Sequence, residues 1–360
     1  MKKERIVRAK APVRVDFGGG WTDVALFTEE SKGMVLNASI DIYSYVTVRK
    51  LPDKEVMTQS YGYKHKETVK NKAIRIYSAD FDIFEEAEGV KHLEYNGNID
   101  LVKAATKQMD IKGGLEIITR SNAPAGSGLG TSASMGVALI GALSAYTGLN
   151  LLPYEFAERA SLIERRELDI LGGKQDHYAS ALGGINFMEF MGEEVRVSKL
   201  RLSKDVICEL EKNLVLCYTG KSRLSSDIHA KVREAYENEE SKTRQALRNL
   251  RSIAVEMKDA LFKEDLTTFG KLLSENWENQ KLLHHSVTNS QIDNIFEVAM
   301  ANGALGGKAC GAGGGGCLLF YAKSDCEHIV RKNLEALNVE IIDFNFEFNG
   351  LQTWKAYCEA

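Results

Sequence analysis

Proline is scarce in this chain, with 4 among 360 residues, and no internal repeat or low-complexity tract interrupts it. A proline-rich linker protein and a repeat solenoid are therefore excluded. An excess of positive charge is also missing. The net charge is −4 and the sequence pI about 6.1, so nothing marks nucleic acid as the main partner. No apolar run approaches the ~18–20 residues of a membrane span. The basic start, MKKERIVRAK, is not followed by the apolar stretch of a secretion signal. The six cysteines (Cys208, Cys217, Cys310, Cys317, Cys326 and Cys358) form no C-x-x-C pair and show no zinc-like spacing with histidine. A cytoplasmic setting is expected, with the thiols reduced and packed as small hydrophobes. A Walker A loop is absent as well. No G-x-x-x-x-G-K-[ST] occurs, and Lys308 in GGKAC is followed by Ala309, so the magnesium-binding hydroxyl is missing.

What is present is ordinary globular material, 44% hydrophobic and 27% charged, in a chain long enough for two domains. The first half mixes strands and helices. Residues 12–19 alternate and dissolve into glycine, 34–50 are rich in β-branched and aromatic residues, and 115–121 and 184–190 read as strands. Residues 131–147 are small and apolar on nearly every face, which predicts a buried helix. Residues 153–169 predict an amphipathic helix, with Pro153 suited to its first turn. The charged stretch 191–212 places a boundary, giving domains 1–200 and 201–360. Beyond it, 214–219 predicts a buried strand, 223–285 two or three helices and 289–302 another. A strand at 317–322, a helix at 325–337 and a strand near 340–348 follow.

Three glycine-rich stations carry the chemistry. In PAGSGLGTSAS (124–134), Gly126, Gly128 and Gly130 strip side chains from a loop that leads into the buried helix. Backbone N–H groups and the helix N-terminus can then meet an anion. Ser127, Thr131, Ser132 and Ser134 add hydroxyls for phosphate oxygens or a metal; an ordinary turn with an N-cap also favours Ser and Thr, but the hydroxyls together with the buried helix point to phosphate binding. The second station, GALGGKACGAGGGG (303–316), contains a literal G-x-G-x-x-G. It runs into a strand instead of a helix and lacks a βαβ frame, which argues against a dinucleotide site. A backbone nest approaching a ligand across the domain cleft is the alternative, through Gly313 and Gly314. The third, RVDFGGGWTD (14–23), ends a strand in Gly18, Gly19 and Gly20, then presents Trp21, Thr22 and Asp23. Asp23 can accept hydrogen bonds from sugar hydroxyls or serve as an ordinary turn residue.

Two carboxylates stand twelve residues apart, Glu164 on the amphipathic helix and Asp176 in GGKQDHY. Glu164 can hold magnesium beside a loop hydroxyl; Asp176 can orient and deprotonate an attacking hydroxyl. On the residues alone, a solvated helix charge for Glu164 and a helix N-cap for Asp176 are the dominant readings. Arg14 can steady charge on a transferring phosphoryl group or pair with Asp176. Lys174 can contact a second anionic group or stand exposed. His177, His284 and His285 show no ligand spacing and are expected to be structural.

The ordered set APVRVDFGGGWTD, PAGSGLGTSAS and KACGAGGGGCLLF, spread from residue 11 to residue 320, resembles the three signatures of the GHMP kinases. That family is named for galactokinase, homoserine kinase, mevalonate kinase and phosphomevalonate kinase. The resemblance implies an α+β fold of two domains, the first like ribosomal protein S5 domain 2 and the second ferredoxin-like. It implies ATP in the cleft, bound by Pro124, Gly126, Ser127, Gly128, Leu129, Gly130, Thr131 and Ser132. Mg²⁺ would be held by Glu164 with Thr131 or Ser132, and catalysis would rest on Asp176 and Arg14. The substrate-binding set would be Gly19, Gly20, Trp21, Asp23, Lys174, Gly313 and Gly314.

GGKQDHYASALGGINFMEF looks like the bacterial D-glycero-D-manno-heptose 7-phosphate kinases, whereas FGGGWTD is similar to the first motif of L-fucose kinases. Both groups phosphorylate an anomeric hydroxyl. The implied reaction is transfer from ATP to the C1 hydroxyl of that heptose phosphate, with L-fucose or another free sugar as the alternative. A mevalonate-pathway kinase would want a less polar acceptor site than Trp21 and Asp23 provide. A non-catalytic binding relative is the rival of a different class, and would be expected to lack one of Asp176, Glu164 and Arg14. A small-molecule sugar and ATP are the expected partners, without nucleic acid or membrane, and a homodimer is admitted.

Overall fold

The computed structural model describes residues 4–60, 63–109, 111–220, 225–238 and 241–358. Its strands are β1 (Glu4–Gly18), β2 (Gly33–Lys50), β3 (Lys54–Ser60), β4 (Tyr63–Val69), β5 (Ile74–Ser78), β6 (Ile83–Ala87) and β7 (Leu115–Ser121), then β8 (Ile185–Met191), β9 (Glu194–Lys199), β10 (Leu214–Tyr218), β11 (Ala304–Ala309), β12 (Cys317–Ala322), β13 (Glu340–Ile342) and β14 (Gln352–Cys358). The helices are α1 (Ala25–Thr28), α2 (Asp100–Gln108), α3 (Thr131–Thr147), α4 (Pro153–Leu162), α5 (Gln175–Leu182), α6 (Lys204–Asn213), α7 (Ser225–Glu237), α8 (Ser241–Phe262), α9 (Leu266–Lys281), α10 (Ser290–Ala301) and α11 (Glu327–Glu335).

The first sheet runs β14-β1-β2-β7-β5-β6, with β8 and β9 continuing from β2. The length of β2 explains the branching. Its residues 44–50 pair with β7 and its residues 33–38 pair with β8. Register shifts in its pairing with β1, at Pro12/Val13 and Asp16/Gly18, are bulges of the kind that bend a strand and re-aim its side chains. The second sheet, β11-β12-β10-β13, is antiparallel throughout.

Helix α3 packs between the first sheet, α4 and the segment leading into β14 through residues too small to hold it away. A Cβ on Gly141 would lie 2.8 Å from Leu351, and one on Gly136 would lie 3.4 Å from Ala160. Val137, Leu139, Ile140 and Leu143 of α3 share a core with Val46, Val48, Ile74 and Ile117. A second core joins the two sheets: Val13, Val15 and Phe17 of β1 meet Met257 of α8, Phe269 of α9 and Leu319 of β12. The glycine stations lie on either side of that junction, so burying it holds them together.

The pattern readings meet three departures. The strand expected near 340–348 covers only Glu340–Ile342, and Gln352–Cys358 instead crosses to the first sheet as an edge strand on β1. The amphipathic helix of 153–169 is α-helical to Leu162, then widens into a π-helical turn over Ile163–Glu167. The Leu168 N–H reaches the Ile163 carbonyl at 3.0 Å. Such a turn re-aims side chains and recurs at functional sites. Here it carries Glu164. Residues 51–114, where the pattern predicted no element, hold β3 to β6 and α2.

Candidate active site

A cavity of about 320 Å³ opens between the two sheets, lined by parts of all three glycine stations. The stations touch. The Cys317 N–H donates to the Ser127 carbonyl at 2.7 Å. A Cβ on Gly128 would lie 2.6 Å from the Cys310 carbonyl oxygen, and one on Gly316 would lie 2.6 Å from that of Ser127. Only glycine allows these backbones so close, and φ is positive at Gly126, Gly128 and Gly130 (67°, 75° and 76°). The loop then enters α3, whose N-terminal amides and dipole face the cavity as an anion site.

Asp176 lies in the first turn of α5, with Lys174 at the cap position. It is therefore not the N-cap. Arg14 meets it from β1 across 162 residues of chain, with Nε 2.8 Å and Nη2 2.7 Å from Oδ1. Arg14 Nη1 also donates to the Gly128 carbonyl at 2.7 Å, so one guanidinium joins the acid to the phosphate loop. Burial works against the Arg14 charge, but Asp176 and then Asp16 outweigh it and raise its pKa. Asp176 Oδ2 lies against Gly130, where a Cβ would be 2.9 Å from it.

Glu164 is buried, not a solvated helix charge. Ser132 Oγ hydrogen-bonds its Oε1, and His177 Nε2 lies 2.8 Å from its Oε2, though out of line for a ring N–H donor. Burial works to raise its pKa, and His177 and Ser132 outweigh that and hold it below the ordinary glutamate value. His177, set aside by the pattern, lines the cavity. Asp176 and His177 are helical neighbours about 100° apart, so one faces Arg14 and the other Glu164.

Asp23 is buried beside Gly173, where a Cβ would lie 1.8 Å from its Oδ2, and that oxygen accepts the Gln175 N–H at 3.0 Å. Burial pushes its carboxyl up to about 6, against a usual 3.8; the Gln175 hydrogen bond only partly offsets it. Between those values the folded protein holds a proton that the unfolded chain has lost, so stability falls as pH rises through the window. Asp23→Asn is therefore expected to stabilise the unliganded protein at pH 7, by up to ~3 kcal/mol. The gain should fade as pH falls through 6. Thermal melts of both proteins across pH 5–8 check this; equal melting at pH 7 would refute it.

Trp21 lines the cavity with a left-handed backbone (φ 77°). Its ring packs at a tilt of 37° against that of His229 of α7, with centroids 4.3 Å apart, and its buried indole N–H has no partner among the described residues. Burial takes His229 down to about 4, so it is a neutral ring at pH 7. Gly20 and Gly313 line the cavity. The Gly19 N–H is held by Asn276 Oδ1 at 3.0 Å, and that of Gly314 by the Val287 carbonyl at 2.6 Å. Pro124 supplies its carbonyl to the Ser127 N–H, and Leu129 points its side chain into the core while its carbonyl accepts the Arg14 N–H. Lys174 does not reach the lining: its ammonium is buried on the Gly192 carbonyl and Glu193, 2.7 Å from each.

The pattern also missed Asp16 and Lys308. Lys308 is fully buried, with Nζ 2.7 Å from Asp16 Oδ2 and 2.9 Å from the Asp16 carbonyl. The pair ties β1 of one sheet to β11 of the other. Its partners are 292 residues apart, and nothing in either local pattern announces it.

A glycine loop opening a helix, a buried arginine gripping a half-buried aspartate, and a hydroxyl–carboxylate pair in one cleft suit phosphoryl transfer. Comparison with known proteins agrees. Residues 98–184 match the GHMP kinases N terminal domain, and residues 257–337 match the GHMP kinases C terminal model. A D-glycero-alpha-D-manno-heptose 7-phosphate kinase of Campylobacter jejuni is 33% identical over 98% of this chain and 99% of its own length. An L-fucokinase/L-fucose-1-P guanylyltransferase of Bacteroides fragilis is 26% identical over 89% of this chain, but only 35% of its own length is covered. The crystal structure of a D-glycero-D-manno-heptose 1-phosphate kinase from Bacteroides thetaiotaomicron superposes with a TM-score of 0.76 at 30% identity, covering 98% of this chain and all of that one. The chain belongs to the GHMP kinase family. It has the α+β fold of that family and is an ATP-dependent kinase. Among the described residues, no helix is long and apolar enough to cross a membrane.

Proposed function

We propose that this kinase transfers the γ-phosphoryl group of ATP to the anomeric hydroxyl of a phosphorylated heptose, D-glycero-D-manno-heptose 7-phosphate. The full-length similarity to a kinase of that name carries the substrate reading. In the proposed reaction the sugar O1 attacks the γ-phosphorus, the bond to the β–γ bridging oxygen breaks, and ADP leaves. Asp176 orients the hydroxyl and receives its proton. Arg14 holds Asp176 in place and steadies the charge spread over the transferring group. The loop 124–132 and the start of α3 hold the nucleotide phosphates.

Magnesium fits the donor set. Glu164 offers one buried carboxylate, already in contact with the Ser132 hydroxyl, and Thr131 stands beside it in the lining. One carboxylate plus phosphate oxygens and water is the usual magnesium environment. The ion would neutralise charge on the β- and γ-oxygens. Asp23 receives sugar hydroxyls, with Gly20 and Gly313 allowing close approach. The division into an ATP-binding part, residues 1–200, and a C-terminal part, residues 201–360, belongs to this reading, with β14 returning to the first sheet.

A second reading is a free-sugar 1-kinase acting on L-fucose or a similar hexose. Trp21 favours it as part of FGGGWTD, the motif similar to that of L-fucose kinases; its buried, unpartnered indole N–H can donate to a hydroxyl of either sugar. ADP release with ATP and Mg²⁺ against D-glycero-D-manno-heptose 7-phosphate, D-mannose, L-fucose, D-galactose and mevalonate separates the two. Turnover is expected on the heptose phosphate at least ~10²-fold above any free sugar. A preference for L-fucose would replace the first reading with the second.

A further inference from the structure

Beside the cavity, three cations converge on one carboxylate. Lys174 Nζ and Arg165 Nη2 lie 2.7 Å and 3.0 Å from Glu193 Oε2, and Arg166 Nη2 lies 3.2 Å from Oε1. Arg165 is further fixed by Ser161 Oγ, 3.0 Å from its Nε. The group is lopsided. Lys174 is 3% exposed and Arg165 14%, whereas Glu193, on the turn between β8 and β9, is 62% exposed. Two largely buried cations therefore depend on a mobile-length side chain that sits mostly in water, and the cluster carries a surplus of two positive charges.

Its position relates it to the acceptor. Arg165 lines the cavity, as do Gly172 and Gly173, the residues just before Lys174. Gly173 lies against Asp23, the proposed sugar acceptor. The nucleotide loop 126–132 approaches instead the Cys310–Gly316 segment. Among the described lining residues, Arg14 and Arg165 are the arginines, lysine is missing, and Arg14 is committed to Asp176. The remaining charged walls, Asp16, Asp23, Asp176 and Glu164, would repel a second dianion.

We propose that Arg165, with Lys174 adding positive charge from behind the lining and Arg166 at the rim, forms the subsite for the phosphate monoester of the acceptor sugar, and that Glu193 holds this position until the substrate arrives. The proposal rests on the phosphorylated-sugar reading above and deepens it. Arginine's planar fork suits a phosphate. The substrate dianion would take over contacts that Glu193 now makes, and the exposed glutamate would turn outward to water. Discrimination for the phosphate would then come from cations already ordered in the free protein, at little cost in preorganisation.

The test compares kcat/KM for D-glycero-D-manno-heptose 7-phosphate with that for the same heptose without phosphate, in the full chain with ATP and Mg²⁺. Arg165→Gln is expected to lower this ratio by about 10- to 100-fold, the loss of a charge-assisted contact, with the KM for ATP moving less than about twofold. Glu193→Gln, which keeps the side-chain shape and one acceptor oxygen but removes the charge, is expected to raise the ratio severalfold by removing the competitor, with its thermal melt measured alongside because Lys174 and Arg165 lose their counter-charge. A wild-type preference for the phosphate that neither variant changes would overturn the subsite and leave the substrate reading standing. A rise in the KM for ATP at an unchanged ratio would assign Arg165 to the nucleotide and likewise overturn it. A wild type indifferent to the sugar phosphate would overturn the substrate reading, and the subsite with it.

Discussion

Replacing Asp176 with asparagine is expected to lower kcat by about 10³-fold, within the 10²–10⁴ that a positioned proton acceptor supplies, while the Kd for ATP moves less than about threefold. Asparagine keeps the shape of the side chain and its place in the first turn of α5. It cannot take the hydroxyl proton, and it cancels the charge that Arg14 grips at 2.7 Å. The proposed nucleotide contacts are separate, on the loop and α3, which is why binding should survive. Nucleotide titration and single-turnover kinetics on the same preparation check both halves. A kcat within tenfold of wild type would remove Asp176 from the chemistry. Loss of ATP binding together with kcat would show that the Arg14–Asp176 pair shapes the phosphate loop, since Arg14 also holds the Gly128 carbonyl.

Lys308→Met is expected to destabilise the protein by about 3–5 kcal/mol, the usual result of leaving one partner of a buried ion pair behind. Both members are buried, Lys308 at 0% and Asp16 at 2% exposure. The methionine fills the space of the lysine stem but leaves the Asp16 carboxylate and carbonyl without their donor. Because the pair bridges β1 and β11, the loss should loosen the contact between the two sheets, and KM for both substrates should rise. Urea denaturation measures the first effect. The double variant Asp16→Leu/Lys308→Met should recover most of the stability, because replacing a whole buried pair by apolar groups is often neutral. A loss below 1 kcal/mol in the single variant would show that water reaches the carboxylate and that the pair is not a staple.

The stations proposed to bind phosphate and present the acid were legible before any coordinates. Each is a local string whose chemistry follows from adjacency. Glycines at every second position free a loop backbone, a hydroxyl run opens a buried helix, and an acid follows a glycine pair. The α3 and β2 readings succeeded for the same reason, since a period of 3.6 or 2 is a local property. Glu164 and Asp176 were different. Their spacing admitted surface and capping roles, and only the family resemblance preferred catalysis. The burial of Glu164, and the contacts of the two with Ser132, His177 and Arg14, come from the packing of α3, α4, α5 and β1.

What the chain determined by itself, then, is which segments approach an anion and which residues have the right functional groups. The tertiary structure decided which of those groups are already partnered. Lys174 looked like a free cation and lies buried on Glu193; Lys308 looked like a failed Walker lysine and neutralises Asp16 from 292 residues away. His177 looked structural and faces Glu164 because a helix turns about 100° per residue. The physical reason is common to all three. A charge taken out of water must find an opposite charge or a hydrogen bond nearby. Nearness between residues far apart in the chain is set by how sheets and helices pack, which local periodicity does not encode.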